Sequence, residues 1–129
     1  MEYASLEEFS IIIVDNTISF FMMDDRIFFT LQGLYKYKPV GHRVVVDMGA
    51  VKYIANGADI MAPGITCADE DIKEEDEVWI CDERNKKPLA IGIALRSGPE
   101  MLSNRNGKAV KNIHHVGDRL WNLISNLGV

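Results

Sequence analysis

The stretch "PLAIGIALRS", residues 88–97, constrains the fold more than any other segment. Read as a strand, it points Leu89, Ile91, Ile93 and Leu95 one way and Ala90, Gly92 and Ala94 the other, because successive side chains alternate across a sheet. One bulky face and one small face suit a sheet that curls until its backbones approach, as in a small closed barrel. The neighbouring runs "RVVVD" (43–47), "EVWIC" (77–81) and "AVKNIHHVG" (109–117) read as further short strands. At 129 residues the chain suits one domain, or a domain with a short appendage.

Ahead of the barrel-like part lie "SIIIVD", "TISFFMM" and "RIFFTL", three apolar runs separated by Asp15-Asn16 and Asp24-Asp25. Short acidic turns between such runs predict an antiparallel meander. "LYKYKPVGH" then reads as irregular, because Pro39 and Gly41 punctuate it. A subdomain boundary is therefore expected near residues 38–42, giving a strand unit over 1–40 and a barrel over 41–129.

Between these parts the spacing predicts one main helix. Asp47 is a suitable N-cap. Ala50, Val51, Ile54 and Ala55 share a helix face, and Gly57 stands where a left-handed C-cap residue belongs. Gly49 weakens such a helix, which suggests tight packing against its first turn. "EMLSN" predicts a helical turn, and "DRLWNLISNL" a terminal segment held by Trp121.

Composition excludes several classes. A hydrophobic fraction of 47% and a charged fraction of 26% are those of ordinary globular proteins. No apolar run could span a bilayer, and the acidic start "MEYASLEEF" lacks the basic and apolar parts of a signal peptide. Cys67 and Cys81 are more simply reduced thiols than a disulfide, and two Cys with three His are too few for a structural zinc site. No metal or cofactor is expected, and the compartment reads as cytoplasm.

A catalytic reading finds no phosphate loop, His-Glu-x-x-His or paired-cysteine motif. The acids at 69–77 read as a solvated loop, since mutual repulsion favours exposure. His114 and His115 are adjacent on a strand, so one is expected in the core or at the barrel rim and the other exposed. The chain is not expected to be an enzyme. Its charge is unevenly spread: the chain carries -5, yet residues 84–129 hold eight bases against Glu100 and Asp118. A basic face on an acidic protein is one outcome of such asymmetry.

The loop "GADIMAPGI" (57–65) points to binding. Its glycines let a ligand backbone come close. Ile60 and Met61 offer apolar surface, although one of the pair is expected to enter the core. Such a platform beside bases suits unstacked nucleotides.

Taken in order, "VVVDMGAVKYIANGADIMAPGI", "VWICDERNKKPLAIGIAL" and "GKAVKNIHHVGDRLW" resemble a PUA domain, a small RNA-binding pseudo-barrel, over about residues 43–123. The preceding "NTISFFMMDDRIFFTLQGLYKYKP" is similar to the pre-PUA part of the malignant T-cell-amplified-sequence and translation-machinery-associated family. The resemblance implies a mixed α/β fold, a PUA-type barrel of mostly antiparallel strands with one main helix after a short antiparallel unit. It implies non-catalytic binding of tRNA or rRNA in translation, in contact with the small ribosomal subunit or a translation-factor partner, and no membrane. By the same resemblance the RNA groove would use Gly49, Lys52, Gly57, Ala58, Asp59, Ile60, Met61, Ala62, Pro63, Gly64, Lys111 and His115. Relatives carry a longer pre-PUA part, so the chain's start is expected to be trimmed or truncated. That would expose Phe20, Phe21, Phe28 or Phe29 for a partner or a homodimer through the N-terminal strands. A targeting module for a separate RNA-modifying enzyme and a protein-only interaction domain are the competing readings.

Overall fold

The computed structural model describes residues 1–127; positions 128 and 129, the end of the expected barrel unit, lie outside it. Strands β1 (Glu2–Leu6), β2 (Phe9–Val14), β3 (Thr17–Met23) and β4 (Arg26–Phe29) form an antiparallel sheet in sequence order. The turns at Asp15-Asn16 (φ 49° and 65°) and Asp24-Asp25 (φ 51° and 62°) hold both central residues in the left-handed region. Asp and Asn tolerate that conformation, and its twist matches that of a tight hairpin. The meander has one strand more than expected, because β1 pairs with β2 from Glu2↔Ile13 to Leu6↔Phe9.

The stretch after β4 is a helix rather than irregular chain. Helix α1 (Leu31–Tyr37) is capped by Thr30, whose hydroxyl accepts from the Gly33 N–H at 2.9 Å. Leu31 and Leu34, one turn apart, are buried. Gly33 is required by proximity: a Cβ there would lie 2.2 Å from the Ser19 carbonyl oxygen. The helix stops at Lys38, which turns left-handed (φ 47°) and donates its N–H to the Leu34 carbonyl.

Six strands make the second sheet: β5 (Arg43–Val46), β6 (Ile60–Met61), β7 (Ile65–Ala68), β8 (Glu77–Asp82), β9 (Pro88–Ala94) and β10 (Lys108–His115). Their order is β6-β10-β9-β8-β5-β7, with β5 and β8 parallel and the other neighbours antiparallel. The sheet wraps into a nearly closed pseudo-barrel, the mixed α/β architecture expected. Its interior is aliphatic and includes Val44, Val46, Ile80, Ala90, Ala94 and Val110. Helices α3 (Gly98–Ser103) and α4 (Arg119–Asn126) complete the chain. Ser97 and Glu100 close a reciprocal cap on α3. In the terminal segment Leu120 and Ile124 are the buried contacts, with Trp121 only packed beside them.

The main helix expected at 48–58 is a single turn, α2 (Val51–Ile54). Asp47 caps the turn before it, accepting from the Ala50 N–H at 2.9 Å. Gly49 lies in that turn with its surroundings open; a Cβ there would meet only the Asp47 carboxylate, at an ordinary 3.4 Å. Gly57, at φ +94°, does adopt the left-handed conformation.

A second core joins the two sheets. Ile91 and Ile93 of β9 pack with Phe21, Phe28, Leu31, Leu34, Leu120 and Ile124, whereas Leu89, expected on the same face, belongs to the barrel core with Ala90, because the register opposite β8 shifts beside it. The aromatic face expected to be open is thus covered: Phe21 and Phe28 are buried against the barrel's outer side, and Phe20 and Phe29 are half-buried. The exposure on which a homodimer through the N-terminal strands was argued is reduced to the half-buried Phe20 and Phe29. His114 sits fully buried in this seam. Its Nε2 accepts from the Leu31 N–H at 3.1 Å while Nδ1 donates to the Asp118 carboxylate at 2.8 Å, a pattern that fits the neutral imidazole.

Candidate nucleic-acid interface

The loop between α2 and β6 is set by what holds its two ends. Gly57 donates to the Ile54 carbonyl and then turns left-handed. Beyond it, the Asn112 side chain on β10 donates from Nδ2 to the carbonyls of Ile54 (3.2 Å) and Ala58 (3.0 Å). The Asn112 backbone N–H donates to Asp59 Oδ1 at 2.9 Å. One residue of β10 therefore clamps the loop at three points. Arg105 braces the far end, where Ala62–Gly64 form a 3-10 turn, by donating to the Pro63 and Ile65 carbonyls.

This scaffold bounds an open cleft of about 580 Å³. Tyr53, Met61 and Pro63 give it an apolar wall, and Gly49, Ala50, Ala58 and Gly64 keep it shallow-sided. Lys108 stands at the edge, 3.1 Å from the Asp59 carboxylate. Burial pushes the Asp59 carboxyl up, but the Asn112 N–H and the Lys108 ammonium outweigh it, and the group lies below the usual aspartate range. Lys52 is exposed beside Tyr53, its Nζ 5.1 Å from the ring centre. Both carboxylates of the cleft, Asp47 and Asp59, are already engaged by protein donors. The arrangement can hold a flat, half-apolar group against the wall with anionic parts at the cationic edge. No cluster of three metal-ligating side chains occurs among the described residues.

Of the residues implied by the resemblance, Gly49, Ala58, Asp59, Met61, Pro63 and Gly64 line this cleft together. Ile60 and Ala62 do not, because alternation turns both into the barrel core. Met61 between them is 46% exposed, so one of the two apolar residues enters the core and the other reaches solvent. Gly57 and His115 do not line the cleft but meet each other: a Cβ on Gly57 would lie 3.2 Å from His115 Nε2. His115 is half-buried and His114 is the core member of the pair. Lys111 lines a separate cleft with Met23, Asp24, Arg26 and Glu75, although its charge still contributes to lowering the Asp59 carboxyl.

Sequence reasoning missed Tyr53, Lys108, Asn112 and Arg105. A polar Asn inside an apolar strand was a signal for a clamp, whereas alternation hid Lys108, because the register of β10 shifts between Lys108 and the buried Val110. Nothing in the sequence marked Arg105, whose partners lie 40 and more residues away.

A helix-capped cleft on a six-stranded pseudo-barrel defines a class of small β-barrel modules. The chain belongs to the PUA domain family, whose model matches residues 42–116. It is 52% identical over 95% of its length to an uncharacterised protein of Methanocaldococcus jannaschii, of which the match covers 75%. It is 35% identical to Translation machinery-associated protein 20 of Saccharomyces cerevisiae, over 84% of this chain and 64% of that one. With Malignant T-cell-amplified sequence 1-B of Xenopus laevis the identity is 31%, over 91% and 67%. Among solved structures, a hypothetical protein of Pyrococcus horikoshii superposes with a TM-score of 0.87 at 45% identity, covering 95% of this chain and 77% of that one. An H/ACA ribonucleoprotein bound to a substrate RNA matches 61% of this chain and 25% of its own, at TM-score 0.56 and 32% identity.

Proposed function

We propose that this chain is a non-catalytic RNA-binding factor of the translation apparatus, acting in the cytoplasm and taking the end of a tRNA or rRNA strand into the cleft beside α2. The observation that carries this reading is the cleft itself, with an apolar wall of Tyr53, Met61 and Pro63 edged by Lys108, and with Lys52 outside its lining but beside Tyr53, in a PUA-family fold. Stacked bases favour such a wall, and phosphates favour such an edge. The names of the yeast and frog relatives support the link to translation. The likeness to the H/ACA ribonucleoprotein supports a second reading, a module that brings RNA to a separate modifying enzyme.

The test is a titration of fluorescent single-stranded RNA at several salt concentrations. The wild type should bind with a log–log salt slope of about -0.7 per phosphate neutralised. Met61→Asp, which puts a carboxylate on the exposed wall, should weaken binding about tenfold while the melting temperature stays unchanged. A wild type with no measurable RNA affinity at low salt ends the proposal.

A further inference from the structure

A second cleft, of about 230 Å³, lies where the end of α1 meets the hairpin between β8 and β9. Tyr35, Lys38, Pro39, Trp79, Lys86 and Pro88 line it. Its charge distinguishes it. The RNA cleft contains Asp47 and Asp59, the cleft beside His42 contains Asp71 and Glu77, and that beside Lys111 contains Asp24 and Glu75. This one has two lysines in its wall and no carboxylate, on a chain of net charge -5. Arg84 and Lys87 are exposed on the same hairpin. Two acids share the hairpin, Asp82, whose carboxylate is bound by backbone N–H groups of the turn, that of Asn85 foremost, and Glu83; against them stand Arg84, Lys86 and Lys87, so the turn keeps a positive excess. Lys36 is occupied elsewhere, donating to the Val14 and Asp15 carbonyls and the Thr17 hydroxyl.

The cleft is built rather than incidental. Trp79 is pinned by its indole N–H to the Gly41 carbonyl at 3.0 Å. Lys38 and Lys86 both sit on left-handed backbone, at φ 47° and 55°, so each is placed by a fixed turn. The hairpin also adjoins the RNA cleft: the Glu83 N–H donates to the Val46 carbonyl at 2.9 Å, one residue before Asp47, which lines that cleft.

We infer that this cleft is a second RNA contact, in which Lys38 and Lys86 hold phosphates of a strand that continues beyond the α2 cleft, with Tyr35 beside its bases. The inference rests on the RNA-binding reading above. Lysine and exposed aromatic side chains lining one concave surface match the alternating charge and flat faces of a single strand. A planar anionic membrane surface would not enter a concavity of this size.

The test replaces both lysines by asparagine, Lys38→Asn with Lys86→Asn, because asparagine tolerates the left-handed backbone and removes the charge. Two probes are used, single-stranded RNAs of roughly six and roughly twenty nucleotides, the shorter filling one site. The double variant should bind the short RNA as the wild type does. On the long RNA it should lose about tenfold in affinity, with a salt slope shallower by about 1.4 for two lost phosphate contacts. An unchanged slope and affinity on the long RNA overturn the second contact and leave the first cleft standing. Failure of the wild type to bind either RNA overturns both. A loss seen on phosphatidylserine vesicles and not on the long RNA also overturns the inference.

Discussion

Strand β9 separates two regions that are built differently. Inside the barrel, Ala90 and Ala94 meet Val44, Val46, Ile80 and Val110, all of them aliphatic and of modest size. On the outer side, Ile91 and Ile93 meet Phe21, Phe28, Leu31 and Leu34 across the seam. Small residues let the barrel strands curl and approach, as at Gly92, where a Cβ would fall 2.5 Å from Val110. Large residues supply the area that fixes the first sheet and α1 on the barrel. The cleft beside α2 belongs to neither core. It is made of loop backbone clamped by Asn112 and Arg105, with exposed side chains along it. Stability should therefore reside in the seam and barrel, and recognition in a margin that can change at low cost.

The sharpest way to break this contrast is to add one methyl group on each side. Gly33→Ala would improve an ordinary helix by about 1 kcal/mol. Here the new methyl meets the Ser19 backbone oxygen, so we expect a loss of about 3 kcal/mol in urea unfolding. Gly49→Ala, at the cleft beside α2, should change stability by no more than about 0.5 kcal/mol. Equal effects at the two glycines would erase the distinction.

A smaller effect is expected at the clamp. Asn112→Ala removes two side-chain hydrogen bonds to the 54–58 segment and should cost about 1–2 kcal/mol. Amide hydrogen exchange should quicken over residues 55–60 more than in β8 or β9, and RNA affinity should fall with it. Uniform exchange across the barrel would show that Asn112 supports the whole fold.

The smallest effect concerns protons in the seam. Burial raises the Glu77 carboxyl above its ordinary value of 4.5, against the pull of the Phe29 N–H and the charges of Arg26 and His42. The folded state thus holds this proton more tightly, and that contribution is full below pH 4.5 and lost as pH rises through the folded value. Asp118 behaves oppositely. Burial raises it, but the bond from His114 and the Trp121 and His115 N–H groups bring it below 3.8. Its contribution is present above pH 3.8 and lost as pH falls below it. Glu77→Gln keeps an acceptor for Phe29 and removes the charge, so it should be slightly more stable than wild type at pH 7 and equal to it below pH 4.5. A variant less stable at neutral pH would mean that the charge, and not the acceptor, is what the seam needs.

Much of this arrangement is legible before folding. The Asp15-Asn16 and Asp24-Asp25 turns declare themselves because few residues accept left-handed backbone, and Gly57 does so for the same reason. The two faces of β9 are plain from Ala90 to Ala94, although only the structure shows that Ile91 and Ile93 pack outward while Leu89 joins the barrel core. Helix α1 is not legible: "LQGLYKY" holds a glycine and two tyrosines, and its capping by Thr30 and burial of Leu31 and Leu34 depend on β3 and β10. Half of the cleft is legible for the same reason that the other half is not. Local spacing marks the 57–64 loop, whereas Lys108, Asn112 and Arg105 reach it from more than forty residues away.

By itself the sequence determined most of the strands, though not β1, β6 or β7, and where the tight turns fall, because alternation and backbone sterics act between near neighbours. Tertiary structure alone decided that α1 forms, that Phe21 and Phe28 are hidden and which cation edges the cleft. Those outcomes depend on contacts between segments distant along the chain, and their energies exist only once the two sheets have met.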